Sequence, residues 1–164
     1  MIRSIVACSL VGWLLVAGPT AIAGGLDLHW LWDDRCAECH GHAGDFARRL
    51  ERVDGELKVR HPIGDMREFL RHHYPVGHEV DALYRMLKAQ AVTPPRFQAE
   101  CQPCHGSAAA FARRRLALRG DEVVLAAGGR PLATALRDHG VIDTDDVPFF
   151  RAVLERVARE VHRQ

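Results

Sequence analysis

The sequence predicts an all-α fold made of two tandem copies of one helical unit, and three observations predict it. Met66, Phe69, Leu70 and His73 recur at i, i+3, i+4 and i+7, the spacing of one helix face. No stretch sustains an alternation of apolar and polar residues, and the valine-rich Val123-Val124-Leu125 is short and runs into alanines. The second half of the chain also repeats the first. At an offset of 65, Cys36, Cys39, His40 and Gly41 fall on Cys101, Cys104, His105 and Gly106, and Phe46-Ala47-Arg48-Arg49 falls on Phe111-Ala112-Arg113-Arg114.

Taken in order, residues 1–23 read as an export signal. Arg3 gives a short positive start, Ile5 to Gly18 is an apolar run, Pro19 breaks it, and Ala21-Ile22-Ala23 is a small-residue cleavage site. A membrane-spanning helix needs about 20 apolar residues, so cleavage is expected in preference to an uncleaved anchor. Residues 24–92 form the first unit. Its entry carries His29, read as a surface histidine, and Trp30 and Trp32, read as shielding. A helix is expected over Ala43 to Val53, a looser section around Gly55, Pro62 and Gly64, and a helix over Asp65 to His73 with Asp65 at its N-terminus. Tyr74-Pro75-Val76-Gly77 stops that helix, and a third spans His78 to Gln90.

Thr93-Pro94-Pro95 is the linker, and residues 93–164 are the second unit. There Gly55 falls on Gly120 at offset 65. With one inserted residue Leu70-Arg71 and His73 fall on Leu136-Arg137 and His139, and Tyr84-Arg85 falls on Phe150-Arg151. Units of about 65 residues are marginal alone and need added core.

With 22 basic and 21 acidic residues the chain is close to neutral, and removal of Arg3 makes the two equal. Nothing in that balance points to nucleic acid or to an anionic membrane surface.

The residues that carry chemistry are Cys36-Ala37-Glu38-Cys39-His40 and Cys101-Gln102-Pro103-Cys104-His105. Cys-x-x-Cys-His is the attachment signature of c-type haem: two thiols form thioethers to the porphyrin and the adjacent histidine ligates iron. Two copies predict two covalently bound haem c groups, held by Cys36, Cys39, Cys101 and Cys104, with His40 and His105 as proximal ligands. Zinc ribbons pair such units about 15 to 20 residues apart and fix no histidine after each. A dithiol redox site or disulfides would leave the two histidines unexplained.

For the opposite face of each iron the repeat selects His73, 33 residues after His40, and His139, 34 after His105. At the first haem His72, Met66 and Met86 compete with His73. The second half has no methionine, so unless Met66 or Met86 crosses over, its haem takes histidine or stays open, and His139 is the candidate. His42, His61, His78 and His162 have no counterpart in the repeat. Arg48, Arg49, Arg113 and Arg114 either pair with haem propionates or form a solvated helix face. Phe46, Phe111, Tyr84 and Phe150 are expected to pack around the haems.

At these motifs the chain resembles exported c-type cytochromes, and its layout is similar to small soluble dihaem cytochromes with cytochrome c-like helical repeats. The resemblance implies a periplasmic location, no stable membrane insertion after cleavage, and one-electron transfer to a redox partner protein such as another cytochrome, a dehydrogenase or a reductase. The expected function is a carrier and not an enzyme, with bis-histidine haems. The alternative is a dihaem enzyme or sensor, peroxidase-like or gas-binding, with one open haem.

Overall fold

The computed structural model describes residues 25–73 and 77–163. The expected export signal, residues 1–23, and Tyr74-Pro75-Val76 therefore lie outside the described residues. The fold is mostly helical but not all-α, because each half carries a small antiparallel hairpin. In the first half the order is α1 (Leu28–Arg35), α2 (Ala37–His40), α3 (Ala43–Arg49), β1 (Glu51–Val53), β2 (Glu56–Lys58), α4 (Met66–His73) and α5 (Val80–Val92). In the second, a π-helical turn (Phe97–Cys101) leads into α6 (Gln102–His105), α7 (Ala108–Arg115), β3 (Leu116–Arg119), β4 (Glu122–Leu125), α8 (Leu132–Arg137) and α9 (Val147–Val161).

The expected helix from Ala43 to Val53 thus stops at Arg49, and Glu51 to Val53 is strand. Turn chemistry explains the change. Asp54 and Gly55, at φ 50° and 78°, form the two-residue loop between Val53 and Glu56, the backbone demanded by a type I′ hairpin. In the second half the loop is Gly120-Asp121, with positive φ only at Gly120, between Arg119 and Glu122. Gly55 and Gly120 consequently hold different places in their turns, and the offset is already 66 here. The extra residue is Arg115, which lengthens α7, so that Leu50 and Leu116 each cap the preceding helix.

Each hairpin fixes the start of the next helix. Lys58 bridges to Asp65 and Val124 to Pro131, and the Val59 and Leu125 amides donate to the Gly64 and Arg130 carbonyls at 3.0 and 2.8 Å. Asp65 then caps α4, its Oδ1 accepting from the Glu68 amide at 2.9 Å. A second one-residue drift follows. Val80, Leu83, Met86, Leu87 and Gln90 are buried on α5, and Val147, Phe150, Val153, Leu154 and Val157 are buried on α9 at an offset of 67. Leu83, not Tyr84, therefore stands where Phe150 does. Tyr84 instead accepts from the Leu57 amide at 3.2 Å and donates to Glu56, pinning β2 to α5.

Two hydrophobic clusters form, one drawn from residues 26–91 and one from 97–161. The halves meet where α1 lies along α9. Asp27 accepts from Arg113 at 2.5 Å, His29 pairs with Glu160 at 2.8 Å, and Arg163 bonds Glu79. His29 is accordingly a half-buried interface residue and not a surface one.

Candidate haem sites

Both Cys-x-x-Cys-His segments adopt one local geometry. Cys36 and Cys101 are joints between two helical turns, at φ −125° and −113° with ψ near −33° and −31°. Each joint starts a short helix whose last residue is the histidine. Gly41 and Gly106 then end it at φ 69° and 73° with extended ψ, a conformation open essentially to glycine alone. This is the physical reason that glycine follows both motifs. Arg49 and Arg114 donate to the carbonyls of His40 and His105 at 3.3 and 3.0 Å, placing a cation where each short helix presents unpaired carbonyls. Arg48 pairs with Asp45 and Arg113 with Asp27. All four arginines thus have protein partners.

The proximal rings are supported alike. Phe46 lies 4.8 Å from His40 and Phe111 5.1 Å from His105, centroid to centroid. Trp32 and Phe97, also 65 apart, close behind them, and Trp32 Nε1 donates to the Gly41 carbonyl at 2.8 Å. Trp30, by contrast, is exposed.

Across from each proximal ring stands the histidine carried by the next helix. His73 ends α4, and His139 follows α8 by two residues. The ring centroids of His40 and His73 are 5.9 Å apart, and those of His105 and His139 are 5.8 Å apart, with interplanar angles of 57° and 56°. Imidazole nitrogens bind a transition metal at about 2 Å, so two rings on opposite sides of one ion have centroids roughly 6 Å apart. The spacing admits one metal between each pair. Burial, then the facing His73 and Arg49, hold the His40 imidazole below its usual pKa, which favours the neutral form that ligates metal.

In the second half a cavity of about 320 Å³ opens beside this pair. Cys101, Cys104, His105 and His139 line it together with Phe97, Phe111, Leu136, Ile142, Phe150 and Leu154, and Glu100, Asp143 and Asp146 stand on its wall. Apolar walls that also carry two thiols and two facing imidazoles suit a porphyrin. All four thiols are free, and burial pushes Cys36 and Cys101 above the usual thiol range.

The other expected ligands lie elsewhere. Met66 and Met86 are buried in the first cluster at places that Leu132 and Val153 fill in the second, so they pack as aliphatic side chains do. His72 is exposed and pairs with Glu68 at 2.9 Å. His42 caps α3, accepting from the Gly44 amide, and Ser107 does the same for α7. His162 contacts the Ala112 carbonyl at 3.1 Å, and His61 and His78 are exposed. Phe69, which the repeat did not single out, stacks on His73 at 4.5 Å.

Among the described residues no helix is long and apolar enough to cross a membrane. Comparison with known proteins gives no match: no family model, no curated protein and no solved structure is similar to the chain.

Proposed function

We propose that this protein is an exported dihaem c-type electron carrier with two bis-histidine haems. Cys36 and Cys39 would hold the first haem and Cys101 and Cys104 the second. His40 with His73, and His105 with His139, would supply the axial nitrogens. The observation that carries the reading is the pair of imidazole couples at 5.9 and 5.8 Å, each joined to a Cys-x-x-Cys-His turn. Two strong ligands on an iron leave no coordination position for substrate, and that favours electron transfer over gas binding or peroxide chemistry.

Haem would supply the one-electron couple. The chain's own part is to fix the two rings on each side through the short helices and hairpin-anchored α4 and α8, and to cover the apolar faces of the site with Trp32, Phe46, Phe97 and Phe111. Redox partners would be other cytochromes, dehydrogenases or reductases, met in the periplasm.

Intact-mass measurement of protein produced with a c-type haem maturation system tests the reading. The expected mass is that of the chain plus two haems that resist acid-acetone extraction. A chain carrying no covalent haem overturns it. Carbon monoxide added to the reduced protein should leave the spectrum unchanged, whereas the open-haem alternative requires a shift.

A further inference from the structure

The two sites differ in one feature that the repeat does not explain, and it centres on Arg96. This guanidinium holds two carboxylates at once. Its Nε and Nη2 donate to Glu100 at 2.6 and 3.0 Å, and its Nη1 and Nη2 donate to Asp146 at 2.7 and 2.8 Å. It also lies 5.0 Å from the centroids of both Phe149 and Phe150. Glu100 immediately precedes Cys101, and Asp146 ends the segment that runs from His139 to α9. Both carboxylates line the second cavity, so the fork ties the segment before Cys101 to the segment after His139 along its wall. Bidentate pairing to two carboxylates beside aromatic rings is the arrangement in which a surface arginine contributes measurably. At offset 65 the first half has Leu31, a core residue, in the same place.

We propose that Arg96 is a positioning residue for the second haem site alone: it clasps the segment following His139 to the one preceding Cys101, and it offsets the negative charge of the cavity wall. The inference rests on the dihaem reading. Two consequences separate by sign. Removing Arg96 leaves Glu100 and Asp146 uncompensated, which favours the ferric state, while removing the Asp146 charge favours the ferrous state. Loss of the clasp is common to both changes and frees the segment that carries His139.

The experiment is spectroelectrochemical titration of the wild-type holoprotein, Arg96→Met and Asp146→Asn, with haem content fixed first by intact mass. Arg96→Met should lower the reduction equilibrium constant of one haem about threefold, the size expected of one solvent-screened charge. At about 59 mV per tenfold for one electron that is about 28 mV downward. Asp146→Asn should shift the same haem upward, and the other haem should stay in place in both variants. Both variants should also bind some carbon monoxide when reduced. Arg96→Lys should restore the potential but not the resistance to carbon monoxide, because an ammonium keeps the charge and loses the fork. Shifts of the same sign in Arg96→Met and Asp146→Asn, or unchanged potentials in a protein carrying both haems, overturn the proposal. A wild-type chain without covalent haem overturns the dihaem reading as well. Should Arg96→Met fail to fold, the upward shift in Asp146→Asn still decides.

Discussion

His139→Ala is the perturbation that reads most directly on the proposed coordination. His139 is exposed and lies beyond the end of α8, so its side chain contributes little to packing, and the fold should lose no more than about 0.5 kcal/mol. Its effect on the iron should be complete. Among the described residues the only imidazole facing His105 across the 5.8 Å gap is that of His139, and His162 is engaged with the Ala112 carbonyl. The remaining polar groups of the cavity wall, Glu100, Asp143 and Asp146, are carboxylates, which bind haem iron less strongly than imidazole. One of two haems should therefore become high-spin and bind carbon monoxide when reduced, at one equivalent per chain, while the first haem keeps its low-spin spectrum. The assay is a carbon monoxide titration of reduced holoprotein against wild type, with circular dichroism to establish that the fold persists. An unchanged low-spin spectrum in a folded, doubly haem-loaded His139→Ala would refute the reasoning.

Met66→Leu should leave both low-spin spectra intact and cost less than about 1.5 kcal/mol, since Leu132 already fills the matching place; loss of a low-spin signal would identify Met66 as a ligand. Asp27→Asn keeps a capping side chain at the start of α1 but removes the charge that pairs with Arg113, and should cost about 0.2 to 1 kcal/mol near neutral pH. Burial alone would raise the Asp27 carboxyl, but the Arg113 hydrogen bond and the Trp30 amide outweigh it and hold it below 3.8. The stabilisation is thus complete above about pH 3.8 and lost as pH falls through the lower folded value, so wild-type and variant melting temperatures should converge in acid. Gly55→Ala places a side chain at φ 78° with open space around it, so the cost is conformational only, about 1 to 2 kcal/mol, and thermal melts should show it without any spectral change at the haems.

Helices α4 and α5 and the pairing of His73 with His40 and His139 with His105 were legible because they rest on local period and on comparison of the chain with itself. The hairpins were not. Strands of three and four residues are too short for a two-residue alternation to register, and the usable signal was Asp54-Gly55 between Arg52-Val53 and Glu56-Leu57. Chance identities misplaced the first one-residue drift, which the repeat put after Gly55 and Gly120, and hid the second: Gly55 with Gly120, and Arg85 with Arg151, align residues that fold into different places. His29 with Glu160 and Asp27 with Arg113 are tertiary pairings between the halves, and no local pattern announces them.

Where the drifts fall bears on what the fold must hold constant. The first adds Arg115 at the end of α7, after the Phe111 that backs His105 and after the Arg114 that binds its carbonyl. The second falls between His139 and α9, after the histidine has been delivered. Between them, the path from Lys58 to His73 and from Val124 to His139 keeps one register, with the same bridge at its start and the histidine eight residues beyond the bridged residue. An insertion within α4 or α8 would turn every later residue of that helix by about 100° and carry the histidine at or just past its end off the facing imidazole. An insertion outside that path moves only surfaces that the packing of α5 and α9 can absorb by sliding along the helix face. The segments kept in register are thus those that fix the two imidazole gaps at 5.9 and 5.8 Å, as expected if both halves must close around a group of one size.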